Sequence, residues 1–439
     1  MRRRLVLVIA FVFIDLLGYS LFLPLLPYYA QTLGATPILV GLLVASNALS
    51  QLIAAPCVGR LSDRLGRRPM LIASIFGTLV SFLLLGLVEP LGALLAGLSS
   101  GRLTVASGAI VMLFVSRVLD GLTGGNTSLA RAYITDVTDE EDRAKGLGMI
   151  GAAFGLGFIV GPALGGTLSN WTSATSAFAT VGLSRYAVPA FAAVALSALN
   201  LLGVFLWLPE SLPPEKRAAM AKSPHTAFSG RIMVDALVRR SRFGALLHSR
   251  FLYTLAFSIF TANFALYTQY RLGLTDQATS YILAYVGLLV VLVQGFAIGR
   301  LTGRFSEMRL ILGAAMLLGL TLLAWAFVPN VPSLLAVLAP VALAGGVLNT
   351  VTNSAITKSV YPEEVGGALG FSEALNSLAR VIAPAMGGLF IQRWGASSLG
   401  LVGASIMAWV IVYVWRRLVL RPAQPLPARP EEEVALEPA

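Results

Sequence analysis

Apolar residues dominate the chain in long blocks, and polar residues gather in the short stretches between them. Twelve blocks approach or exceed the about 20 residues that a helix needs to cross a bilayer. They fall at about 5–30, 38–60, 69–88, 108–133, 145–170, 188–208, 249–272, 277–300, 308–328, 333–357, 365–392 and 396–418. The pattern predicts an all-α polytopic membrane protein with 12 transmembrane helices in two six-helix halves. Span 1 follows Met1-Arg2-Arg3-Arg4 as a signal peptide would, but it runs on without a small-residue cleavage site and is read as retained.

Composition sharpens this picture. Of 439 residues, 56% are hydrophobic and 12% charged, against about 25% charged in soluble domains, which excludes an ordinary soluble enzyme. The single Cys57 cannot form an intrachain disulfide, and with two histidines no Cys/His metal cluster is available. No nucleophile–base constellation and no G-x-x-x-x-G-K-[ST] loop is present, so the expectation is no enzyme, no metal and no nucleotide cofactor.

The net charge of +11 follows from topology rather than from nucleic-acid binding. Placing both termini in the cytoplasm puts 26 of the 32 Lys and Arg on that side; Arg102, Arg185, Arg271 and Arg393 fall outside, and Arg117 and Arg380 lie within spans. The preponderance of Arg over Lys leans toward a bacterial inner membrane.

A basic, Pro-containing stretch, 209–248, divides the chain into halves 1–208 and 249–418, and a Pro- and Glu-rich tail, 419–439, is expected to be disordered. The halves repeat: Gly59-Arg60-Leu61-Ser62-Asp63-Arg64 returns as Gly299-Arg300-Leu301-Thr302-Gly303-Arg304, and Pro162-Ala163-Leu164-Gly165-Gly166 returns as Pro384-Ala385-Met386-Gly387-Gly388. The two offsets differ by the length of an extra stretch at 89–107, which fits a loop, a short membrane-surface helix or a lid. Internal repeats are a signature of secondary transporters, which bind near the bilayer midplane between the repeats.

Several motifs are more specific. The loop after span 2 carries Gly59, Asp63, Arg64, Gly66, Arg67 and Arg68; span 4 carries Arg117-Val118-Leu119-Asp120-Gly121; span 5 carries Gly157, Gly161, Pro162, Gly165 and Gly166. With Gly18 to Pro27 of span 1, they resemble the major facilitator superfamily, and within it the twelve-helix drug:proton antiporters, tetracycline-efflux-like members above all. The resemblance implies a gating loop at 59–68, with Asp63 latching the start of span 11, and an antiport motif in span 5. It also implies a functional role for Asp15. The second-half loop has Gly303 where the first has Asp63, so such a latch would exist on one side only. Glu363 and Glu364 at the start of span 11 would compete with Asp63 for that helix end.

Ionisable residues inside spans are costly and usually face a cavity, a partner or an ion path. Asp15 and Arg117 are both expected near mid-depth, where they could meet, with Asp120 one turn beyond Arg117; a static salt bridge between spans 1 and 4 is the alternative. Asp15, Arg117 and Asp120 are therefore the proton-coupling candidates. Glu373 and Arg380 stand where the first half is apolar, with Glu373 expected to face substrate. Asn47, Gln51, Asn263, Gln269, Gln294, Asn349, Asn353 and Asn376 are the candidate amides of a substrate cavity, or else glue between helices. The expected activity is proton-coupled export of a small amphipathic, even cationic, compound by alternating access, driven by the proton gradient without a cofactor. A facilitator or symporter of a lipid, sugar or metabolite is the alternative. The expected partners are a small-molecule substrate and the bilayer, with no nucleic acid, and the chain acting as a monomer.

Overall fold

The computed structural model describes residues 2–213, 215, 217, 241–361 and 364–420. Much of the linker, Glu363 and the tail beyond 420 lie outside the described residues. Regular structure in this region is helical, as a bilayer requires when no water is present to satisfy backbone groups. Twelve helical spans result: span 1 Leu5–Thr32, span 2 Pro37–Leu65, span 3 Arg67–Gly86, span 4 Val105–Val137, span 5 Gly148–Leu168 and span 6 Ala187–Trp207. The second half holds span 7 Arg242–Ala262, span 8 Asp276–Thr302, span 9 Glu307–Ala326, span 10 Val331–Thr357, span 11 Val365–Trp394 and span 12 Ser397–Val419.

Local chemistry sets the breaks. Pro24 and Pro27 surround a turn that interrupts span 1 at 23–25, and Gly124-Gly125 interrupts span 4. Span 7 begins seven residues before the apolar block does. Arg242 and His248 make the segment look like loop, yet Phe243, Leu246 and Leu247 are fully buried there. The extra stretch after span 3 is a short apolar helix, Val88–Leu98. It packs on the start of span 4 where Gly92 meets Ala109 and Gly108 meets the Gly92 carbonyl.

With an even number of spans, the described chain begins and ends at one end of the bundle, and that end carries Arg60, Arg64, Arg67, Arg68, Arg416 and Arg417. We call it the basic end. The halves meet at the other end. Gly41 of span 2 lies against the Pro384 carbonyl of span 11, Gly388 against the Pro37 carbonyl, and Gly166 of span 5 against Ser280 of span 8. Each glycine lets two backbones approach where a Cβ would intrude.

Polar contacts reinforce that closure. The Tyr28 hydroxyl donates to the Leu274 carbonyl at 3.0 Å and accepts from Thr279 Oγ1 at 2.7 Å. Asp276, 1% exposed, accepts from Arg185 at 3.1 Å and from Ser169 Oγ at 3.1 Å. Burial, and after it the Asp276 carboxylate, push the Tyr186 phenol up to about 12. It therefore stays protonated beside Arg185, whose Nη2 donates to it at 2.9 Å.

Toward the basic end the same four helices separate. Gln51, Pro56 and Cys57 of span 2, Met149 of span 5, Gln294 and Phe296 of span 8 and Glu373 of span 11 are all exposed. Among the described residues, the hydrogen bonds and the ion pair that join one half to the other lie at the far end. The molecule thus encloses a cleft closed at the far end and open at the basic end.

Candidate functional site: a charged cleft between two helical halves

The first-half wall is built on spans 1, 2 and 4. Arg117 and Asp120, one turn apart on span 4, are both 5% exposed, and their side chains pair at 3.5 Å. Asn47 of span 2 donates from Nδ2 to Asp120 Oδ2 at 2.9 Å and to the Arg117 carbonyl at 3.1 Å, so one amide locks span 2 to span 4. Arg117 further donates to Ser116 Oγ at 3.2 Å and lies over the Phe82 ring, 5.9 Å from its centroid. Gln51 donates to the Gly124 carbonyl at 2.8 Å, at the break in span 4.

Asp15 has a different partner from the one its depth suggests. Its Oδ1 accepts from Asn126 Nδ2 at 2.7 Å rather than from Arg117. The break at Gly124-Gly125 turns span 4 so that Asn126, not Arg117, faces span 1; nothing in the helical spacing announces it. Asp15 stays within electrostatic reach of Asp120. Asp15 and Asn126 share with Asn200 of span 6 a small cavity of about 20 Å³, the room of about one water. Asn200 is 1% exposed and neither its amide nitrogen nor its oxygen meets a protein partner; Asn126 Oδ1 is likewise unpartnered. Asn126 and Asn200 were not among the candidate amides of the sequence, although both lie within apolar blocks as those amides do.

The second-half wall is built on spans 7, 10 and 11. Glu373 accepts from Asn376 Nδ2 at 3.0 Å, and Asn376 Oδ1 accepts from Thr254 Oγ1 at 3.1 Å, which ties span 11 to span 7. Arg250, 2% exposed, donates to Tyr253 at 3.2 Å and to Asn349 Oδ1 at 3.4 Å. It is a second guanidinium on this wall, at the start of the expected span 7, that was not among the candidate residues. Arg380 is exposed, 15 residues from Val365 and 14 from Trp394.

The other candidate amides scatter. Gln294 is exposed in a π-helical turn, Val293–Ala297, of span 8, and Asn353 is half-buried on span 10. Asn263 is buried at the far end, donating to the Ile259 and Ala383 carbonyls at 3.0 and 3.4 Å, so it joins spans 7 and 11 away from the cleft. Gln269 lies on the short helix Phe264–Leu272 beyond span 7, its Oε1 buried without a partner.

The loop after span 2 forms a compact charge cluster within the first half. Arg67, 6% exposed, pairs with Asp63 at 2.6 Å and with Asp136 at 3.0 Å. Glu210, just after span 6, accepts the backbone N–H of Arg67 and Arg68 at 2.9 and 3.2 Å and so caps the start of span 3. Gly66 is glycine of necessity, with φ at +110° and the Glu210 carboxylate where a Cβ would stand. Arg68 donates to the Phe205 carbonyl at 2.6 Å, while Gly59 and Arg64 are exposed. In this conformation Asp63 is held by Arg67 of its own loop, not by span 11.

Span 5 uses its glycine series against span 1. Ser20 Oγ donates to the Gly157 carbonyl at 2.7 Å, and Gly161 and Gly165 accept the Ser20 side chain and the Leu21 backbone. Pro162 sits inside the helix, and Gly166 turns to span 8.

Two pseudo-repeated six-helix halves around a midplane cleft lined with ionisable groups define a transporter, not an enzyme. Comparison with known proteins names the family. The model for the Major Facilitator Superfamily matches residues 8–331 and 246–438, and the chain belongs to that family. It is 30% identical over 388 residues to the class C tetracycline resistance protein of Escherichia coli, covering 87% of this chain and 88% of that one. It is 27% identical over 413 residues to solute carrier family 67 member A1 of Homo sapiens, covering 93% and 89%. In structure it resembles the human organic anion transporter MFSD10 (TETRAN), with a TM-score of 0.62, 23% identity and 94% and 99% coverage.

Proposed function

We propose that this transporter is a proton-coupled antiporter that exports small amphipathic compounds by alternating access. The observation that carries the reading is the pair of acids in the first half: Asp15 and Asp120 lie within electrostatic reach of each other, and of the two only Asp120 is paired with a guanidinium, that of Arg117. Two carboxylates held in low dielectric with one cation favour taking up one proton between them. A change in hydration of the cleft releases it. The likeness to tetracycline resistance proteins and to multidrug resistance protein 2 of Bacillus subtilis, 26% identical over 394 residues, supports export of this kind.

The basic end faces the cytoplasm by the excess of Lys and Arg there, so the cleft described above is inward-open. Substrate enters it from the cytoplasm or the inner leaflet while a proton leaves. The far-end contacts then separate, the basic ends of spans 2, 5, 8 and 11 close, and protons enter from outside. The chain works as a monomer in a bacterial inner membrane, with the proton gradient as its energy source.

Everted vesicles with an acidified lumen and a pH-sensitive dye test this, using tetracyclines and cationic drugs with wild type and Asp15→Asn. Proton release on drug addition by wild type, and none by the variant, supports antiport. Exchange of drug without proton movement in wild type overturns it and favours a facilitator.

A further inference from the structure

The charges on the cleft walls are unevenly engaged. On the first half, Asp15 is held by Asn126, and Asp120 by Arg117 and Asn47. On the second half, Arg250 and Arg380 face a single acid, Glu373, which Asn376 already occupies. Arg380 has no ion pair or hydrogen bond with the described residues and is exposed to the cleft at mid-depth. It stands one turn from Pro384, where spans 2 and 11 close on each other, so it hangs from the roof of the cleft. Glu373 is seven residues away, about 10 Å along the helix axis, too far for a direct pair. Across the cleft, Tyr19 of span 1 lies within electrostatic reach of Arg380, and its phenol O–H has no partner among the described residues.

A guanidinium at mid-depth is tolerated while water fills the cleft, but closing the basic end removes that water. The charge then needs a counter-ion: Asp120 is already paired with Arg117, and Glu373 stands two turns away on the same helix. We propose that the cleft carries amphipathic organic anions, with the substrate's carboxylate seated on Arg380 and accepting a hydrogen bond from Tyr19. This rests on the transport reading above and replaces the expectation of a cationic substrate.

The test uses the full-length transporter in lipid nanodiscs and three probes with one apolar body: naphthylacetate, naphthylethylammonium and naphthylethanol. Naphthylacetate is expected to bind about 10-fold or more tighter than the other two, the range of one charge-assisted hydrogen-bonded pair. Arg380→Gln is expected to abolish that preference while leaving naphthylethanol binding unchanged, which also shows that the variant is folded. Arg380→Lys keeps the charge without the planar fork and is expected to fall between. Tightest binding of the ammonium, no binding of naphthylacetate, or equal loss of all three probes in Arg380→Gln overturns the proposal. Proton-coupled drug flux by the wild type with no preference for naphthylacetate would sink this inference and leave antiport standing. Anion binding at Arg380 without proton exchange would do the reverse.

Discussion

Asp276 is the centre of the far-end closure, and replacing it tests the conformational reading directly. Its carboxylate is 1% exposed and accepts from Arg185 and Ser169 across the two halves. Asp276→Asn keeps the shape and one hydrogen bond but removes the charge. Breaking a fully buried ion pair costs about 3–5 kcal/mol. Here the orphaned Arg185 side chain is 41% exposed and water recovers much of its charge, leaving about 1–2 kcal/mol. Because the pair exists only when the far end is closed, that loss falls on one conformation. The ratio of basic-end-open to far-end-open molecules should drop about 5- to 30-fold. The protein supplies its own reporter, since Cys57, the single cysteine, is exposed on span 2 toward the basic end. In nanodiscs, Asp276→Asn should slow maleimide labelling of Cys57, by about 3- to 15-fold where the two conformations start equally populated. A cysteine placed at Gln277 in a Cys57→Ser background should label faster. Unchanged rates at both positions would refute the claim that Asp276 holds the far end shut.

The glycines separate packing from gating. Gly388→Ala would drive a methyl against the Pro37 carbonyl only in the closed far end, so it should protect Cys57 from maleimide much as Asp276→Asn does. Gly165→Val inserts bulk against the Leu21 backbone within one half; a loss of about 1–3 kcal/mol, read as a lower Tm, is expected, with no change in the labelling ratio. Arg67→Met leaves Asp63 and Asp136 without their shared cation and should cost about 2–4 kcal/mol in thermal unfolding; Arg67→Lys should recover part of it. Asn200→Leu removes two unpartnered buried polar atoms and should leave Tm unchanged or higher, while slowing proton release from the Asp15 cavity in the vesicle assay.

The sequence by itself determined the twelve spans, the two halves and the family, because each rests on a signal local to one stretch of chain. Twenty apolar residues in a row have one low-energy arrangement in lipid, whichever neighbours they meet. The glycine and arginine motifs are equally local, and their spacing was readable. The start of span 7 was missed because Arg242 and His248 look like loop until burial against spans 11 and 12 is known. Partnerships across the cleft were decided by the tertiary structure alone. Asp15 joins Asn126 rather than Arg117 because a glycine pair breaks span 4, and Glu210 caps span 3 from more than a hundred residues away. Asp120 beside Arg117 was legible in the sequence, but the fates of Arg117 and Arg380 were not: the packing walls one in with its carboxylate and leaves the other facing an open cleft. A side chain's charge is written in the chain, but its counter-ion depends on which helix the fold brings opposite.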